Sequence, residues 1–312
     1  MKRICLVLGA LLLFNPNYSQ SNDTLFVKSG DVKIHTVISK PITFDKKVLA
    51  IIVPGSGPTD LNGNQPKVMN NSMLLLSNEL VKNGIHTVRF DKRGIAKSSD
   101  SSIVESELSI DRFVEDIDCL FDKFESMGYD EIYLIGHSEG SLMSMIISSK
   151  REVKGLISLC GAGSSADILL KSQLIKQLPK ELYDQTDLII DSLKNGNPVK
   201  RFPPQLNALF RATIQPYLIS WFKYNPCEIL KQIKTQVLIV HGTKDIQIGL
   251  NESQLLYEAS PLSKYVIIQD MNHIFKTISG DMNENLKSYI NPDLPINSEL
   301  VNCIVSFIKS NQ

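Results

Sequence analysis

Ser138 stands at the centre of Gly136-His137-Ser138-Glu139-Gly140, directly after the apolar run Ile132-Tyr133-Leu134-Ile135 and directly before the helix-like stretch from Ser141 to Ile147. That order reads as a strand, a sharp turn and a helix with serine at the apex. So tight a turn strains its central residue and draws helix and strand together, which calls for glycine two residues to either side. The hydroxyl is thereby exposed for attack. A serine hydroxyl is a weak nucleophile near neutral pH and needs a base, itself oriented by a third group. Downstream, Asp245 closes His241-Gly242-Thr243-Lys244-Asp245 and His273 closes Asp270-Met271-Asn272-His273, each after an apolar run. The resulting order is Ser, Asp, His, and the chemistry such a set performs is acyl transfer.

The other histidines fit less well. His35 and His86 lie in strand patterns, His241 ends a strand, and His137 adjoins the nucleophile along the backbone, so its side chain is expected to point elsewhere. Among the acids, Asp270 could cap a turn and Asp167 follows an earlier strand; Asp245 holds the loop position the ordered set requires. Negative charge on the attacked carbonyl oxygen also needs donors. The backbone N–H of Glu139, the residue after the nucleophile, is one. The second is expected from Pro54-Gly55-Ser56-Gly57-Pro58, at the Ser56 amide with Gly57 as the alternative; the same glycines would also suit a plain turn.

These residues must be positioned by a scaffold. Thr24 to Lys28 and Lys33 to Ser39 alternate apolar and polar around Ser29-Gly30-Asp31, as an antiparallel hairpin does. Lys47 to Val53, His86 to Phe90, Glu131 to Ile135 and Val153 to Leu159 then alternate with the helical stretches Asn70 to Lys82, Ile110 to Met127 and the one after Ser138. Near-continuous apolar strands alternating with helices imply a parallel sheet covered on both faces, with ligands gathering at the carboxyl ends of the strands. The rhythm breaks between Gly161 and Pro226, a mostly helical stretch interrupted by Gly196, Pro198, Pro203, Pro204 and Pro216 and carrying Phe202, Phe210, Tyr217, Trp221, Phe222 and Tyr224. Sheet character resumes at Gln236 to Val240 and Lys264 to Ile268, and Ser298 to Lys309 reads as a last covering helix. One α/β sheet is thus expected, formed by residues 21–160 and 227–312 and interrupted by a helical insertion at 161–226.

At these motifs the chain resembles the α/β-hydrolase superfamily, and more narrowly its exported bacterial esterases and serine-aminopeptidase-like hydrolases. The resemblance is carried by Pro54 to Asp60, Phe90-Asp91-Lys92-Arg93-Gly94-Ile95-Ala96-Lys97-Ser98, the serine turn, His241 to Asp245 and Met271-Asn272-His273. It implies an acyl-enzyme, a Ser138-Asp245-His273 triad, no metal, no organic cofactor, and a helical cap at 161–226. Two departures stand out: the oxyanion loop begins Pro54-Gly55 where His-Gly is frequent, and Ala96 replaces a common glycine, which reads as a minor change. Arg93 is expected to brace loops by hydrogen bonding.

Composition narrows the rest. The 312 residues carry 33 basic and 33 acidic side chains and 43% hydrophobic residues, enough for a real core, with no basic stripe to suit nucleic acid. Lys2 and Arg3, the apolar Ile4 to Phe14 and the polar Asn15 to Ser21 read as an export signal, residues 1–20, too short to span a bilayer stably. The expected mature protein is periplasmic or secreted, without a membrane span. Its cysteines, Cys119, Cys160, Cys227 and Cys303, lack metal-ligand or redox spacing, and packing is the expected role of the first two. The reading is a serine hydrolase acting on a small ester or acyl substrate. Aminopeptidase-like or thioester cleavage on the same triad is the alternative, with Glu139, Glu181 and Asp184 as the acids available to a substrate ammonium. A noncatalytic binding protein on this scaffold is the remaining reading.

Overall fold

A computed structural model describes residues 20–42, 48–260 and 262–312. The expected export signal at 1–20 lies, but for its last residue, outside the described residues, as does Lys47.

The chain begins with β1 (Gln20–Ser29) and β2 (Val32–Pro41), paired antiparallel around Gly30 at φ 57°. Next come β3 (Val48–Val53), α1 (Ser72–Lys82), β4 (His86–Phe90), α2 (Ile110–Ser126), β5 (Glu131–His137), α3 (Glu139–Ser148) and β6 (Gly155–Leu159). Five helices follow: α4 (Ala166–Leu174), α5 (Lys180–Lys194), α6 (Asn207–Phe210), α7 (Gln215–Phe222) and α8 (Pro226–Leu230). The chain then re-enters the sheet with β7 (Val237–Gly242), α9 (Leu250–Ala259) and β8 (Ser263–Ile268), and ends in α10 (Met282–Ser288) and α11 (Ser298–Ser310). The eight strands lie in the order β1-β2-β4-β3-β5-β6-β7-β8. β2 meets β4 antiparallel, and every pairing from β4 to β8 is parallel.

Unbroken apolar character marks the central strands, and the reason is burial on both faces. Every residue of β3 is buried, whereas the edge strand β8 is mostly half-exposed. Alternate side chains feed two cores. Leu49, Ile51 and Val53 point to the side covered by α2 and α3; Val48, Ala50 and Ile52 point to the side covered by α1 and α11. The inserted helices continue the first core, with Phe210 and Phe222 wholly buried in it and Phe202 packed edge-on against Phe210. The insertion's aromatic residues thus largely form its own interior, with Phe210, Tyr217 and Phe222 buried and Phe202, Trp221 and Tyr224 packed against them. Local signals set the helix ends: Ser109 Oγ accepts from Arg112 N at α2, and Asn297 Oδ1 accepts from Glu299 N and Leu300 N at α11. Among the described residues no helix is long and apolar enough to cross a membrane.

Candidate active site

Strand β5 delivers Ser138 at its carboxyl end with φ 53° and ψ −120°, a conformation an L-residue adopts only when its surroundings force it. The forcing contacts are visible. Ser138 N donates to Leu159 O at 2.9 Å, and α3 starts so close to β3 that a Cβ on Gly140 would lie 2.3 Å from the Val53 carbonyl oxygen. Ser138 and His273 border the same cavity, of about 290 Å³.

Asp245 and His273 are 28 residues apart in sequence, yet Asp245 Oδ2 and His273 Nδ1 are 2.7 Å apart, with side chains 1% and 3% exposed. Asp245 Oδ1 accepts from the amides of Gln247 at 2.8 Å and Ile248 at 2.9 Å. Burial alone would raise the Asp245 pKa; the charge and hydrogen bond of His273, the neighbouring His241 and the Ile248 amide outweigh it and hold the carboxyl at about 2. The acid is therefore ionised at neutral pH. Beside it Cys160, at φ 51°, keeps its thiol proton, because burial and the Asp245 charge push its pKa well above the usual value. The rival acids lie elsewhere: Asp167 accepts from Lys194 Nζ at 3.1 Å, and Asp270, at φ 60°, shapes the turn before His273.

The loop carrying His273 is tied by its neighbour Asn272, which is wholly buried. Asn272 Oδ1 accepts from Lys276 N at 2.9 Å, and its Nδ2 donates to Asn285 Oδ1 and Ser288 Oγ on α10. His137 departs from expectation. Its ring lies 4.7 Å from that of His273, and its Nε2 donates to the His273 carbonyl at 2.9 Å. Burial, and then the nearby His273, push its pKa down to about 3, so it stays neutral and supports the loop from beneath. His35 meets Asp91, His86 meets Tyr129, and His241 Nε2 donates to Ile248 O at 3.0 Å.

The loop after β3 passes directly over Ser138, since a Cβ on Gly55 would lie 3.1 Å from Ser138 Cβ. Two bonds orient its peptides. Lys92 Nζ donates to the Gly55 carbonyl at 3.1 Å, and Gln65 Nε2 donates to the Ser56 carbonyl at 2.8 Å. A trans peptide points its N–H opposite its C=O, so the lysine fixes the direction of the Ser56 N–H. Lys92 also pairs with Glu139 Oε1 at 3.1 Å, and Tyr217 of α7 donates to Glu139 Oε2; the Lys92 and Glu139 side chains are 4% and 0% exposed. One buried cation thus ties together the two segments expected to offer oxyanion donors. Nothing in the neighbours of Lys92 along the chain signals its burial, and Tyr217 stands in the sequence as one aromatic among several of the insertion. Arg93 forms a two-pronged pair with Asp116 of α2 and donates to Ser29 Oγ, bracing β1 against that helix. Ala96, at φ 45°, sits in the left-handed region, so its replacement of glycine carries strain and is not neutral.

Comparison with known proteins places this geometry in context. The family described as serine aminopeptidase, S33, matches residues 71–201. Esterase EstD of Thermotoga maritima is 23% identical over 239 residues, which are 74% of this chain and 55% of that protein; the chain thus spans about half the length of this curated relative. Est1E from Butyrivibrio proteoclasticus, solved with ferulic acid bound, superposes with a TM-score of 0.62 at 18% identity over 92% of this chain and 99% of that one. A proline iminopeptidase of Mycobacterium smegmatis gives 0.59 at 13% identity over 93% and 98%.

Proposed function

We propose that this chain, an esterase-like α/β-hydrolase in fold and sequence, cleaves carboxylic esters through an acyl-enzyme formed on Ser138. In this reading His273 Nε2 takes the Ser138 proton as Oγ attacks the carbonyl carbon, and Asp245 holds the imidazole and supports its positive charge. The carbonyl oxygen becomes an oxyanion facing the Ser56 and Glu139 amides. His273 then gives its proton to the departing alkoxide. A water molecule, deprotonated by the same imidazole, attacks the acyl-enzyme, releasing the acid and restoring the serine. The inserted helices at 161–226 act as a cap, and residues 1–20 direct export. The observation that carries the reading is the 2.7 Å contact between His273 and the ionised Asp245, at the cavity Ser138 also borders.

Ester cleavage is favoured over aminopeptidase activity by the fate of the acids available to a substrate ammonium. The Glu139 carboxylate is consumed by Lys92 and Tyr217, Asp184 pairs with Lys180, and Glu181 is exposed on α5. A fluorophosphonate probe tests the proposal: it is expected to label the wild type and not Ser138→Ala, with p-nitrophenyl acetate turnover lost in parallel. A folded wild type that takes no label and turns over no ester would favour the binding-protein reading.

A further inference from the structure

The inserted α7 reaches the Ser138 turn through Tyr217. This residue is buried, and its hydroxyl donates to Glu139 Oε2, on the residue that follows Ser138. Burial, and then the Glu139 charge, push the phenol pKa well above its usual value, so the group keeps its proton and remains a donor. Its placement is fixed from several sides. Gln215 Nε2 donates to the Val199 and Phe210 carbonyls at 2.8 and 2.7 Å, which sets the start of α7. Ser220 Oγ accepts from Ile110 N at 2.9 Å and donates to the Tyr217 carbonyl at 2.7 Å, which ties α7 to the start of α2. The Tyr217 ring packs against those of Phe113 and Trp221, with centroids 6.0 and 5.7 Å away. A hydroxyl held by such a shell is preorganised for one acceptor.

What the hydroxyl governs follows from the needs of that acceptor. Among the described residues the Glu139 carboxylate has two side-chain donors, Lys92 on Oε1 at 3.1 Å and Tyr217 on Oε2. The Lys92 ammonium also faces the Phe113 ring and the Gly55 carbonyl, at 3.1 Å from the latter, and its bond to Gly55 sets the direction of the Ser56 N–H. A buried carboxylate oxygen without a donor is costly, so it draws on the nearest cation. While Tyr217 satisfies Oε2, Lys92 is free to hold Gly55. Without that hydroxyl the carboxylate takes the ammonium for both oxygens, and the Gly55 carbonyl loses its donor. The line of action runs from α7 through Glu139 and Lys92 to the peptide over Ser138.

We infer that Tyr217 is a positioning residue for the oxyanion peptide, which makes the inserted helices a working part of the hydrolytic site and not a cover alone; the inference rests on the ester-cleaving reading above. A double-mutant cycle between Tyr217 and Glu139 in the full chain tests it, read as kcat and KM on p-nitrophenyl acetate. Tyr217→Phe, which keeps the ring, is expected to lower kcat about tenfold with KM within about twofold, because a displaced oxyanion donor is missed in the transition state. Glu139→Gln removes the charge that competes for Lys92, so in that background Tyr217→Phe should change kcat less than about twofold. A general loosening of the insertion would lower kcat equally in both backgrounds, and that result would overturn the inference. So would a kcat for Tyr217→Phe within about twofold of wild type, with turnover still dependent on Ser138. Undiminished turnover in Ser138→Ala would overturn the ester-cleaving reading and this inference with it.

Discussion

Replacing Lys92 by methionine keeps most of the side chain's length and of its packing over Phe113, whose ring centre lies 4.5 Å from Nζ, while removing the charge and both hydrogen bonds. Two consequences separate. Glu139 is left as a wholly buried carboxylate with only Tyr217 to pair with, and breaking a buried pair from one side costs about 3–5 kcal/mol. The Gly55 carbonyl also loses its anchor, so the Ser56 N–H is no longer held in one direction. Outright loss of an oxyanion donor costs about 10²–10³ in rate, and a donor that remains but wanders should cost roughly tenfold to a hundredfold. The double variant Lys92→Met/Glu139→Gln tells the two apart. Removing the stranded charge should recover about 2–3 kcal/mol of stability, seen in urea unfolding, while kcat on p-nitrophenyl acetate stays at the level of the single variant. If the double variant regains kcat to within twofold of wild type, Lys92 does not aim the oxyanion peptide. If the single variant unfolds within about 1 kcal/mol of wild type, the buried-pair argument itself fails.

Three further outcomes are expected. Asp245→Asn should lower kcat by about 10⁴, through loss of imidazole orientation and charge support, whereas Asp270→Asn should stay within tenfold of wild type; the reverse pattern in steady-state rates would reassign the acid. The same carboxyl is held at about 2 against an ordinary 3.8, so its ionised form contributes about 2 kcal/mol of stability. A depressed acid gives this in full above its unfolded pKa and loses it as pH falls through the folded one, so wild-type unfolding free energy should lose that amount between about pH 4 and pH 2 while Asp245→Asn does not. Ala96→Gly should raise unfolding free energy by about 0.5 kcal/mol, since relief of left-handed strain exceeds the added chain entropy; a loss of stability would mean the strain at φ 45° is negligible.

The periodicity of the chain was enough to set out the alternating strands and helices. The strand-turn-helix signal at Ser138 needed only local glycines, because a turn that tight is a property of a few consecutive residues. Asp245 and His273 were legible for a related reason: each follows a recognisable strand, and a parallel sheet delivers all its carboxyl ends to one rim. What sequence could not convey is which side chains meet across that rim. Lys92, Glu139 and Tyr217 come from the loop after β4, the start of α3 and the inserted α7, and their ion pair and hydrogen bond exist only once the insertion folds back on the sheet. His137 was misdirected by its place beside Ser138, and its ring found the His273 loop because Asn272 holds that loop over it. Local pattern determines where the chain turns and which face it buries, whereas the pairing of distant polar groups is decided by closure of the tertiary fold, when solvent is excluded and each buried charge must find a partner.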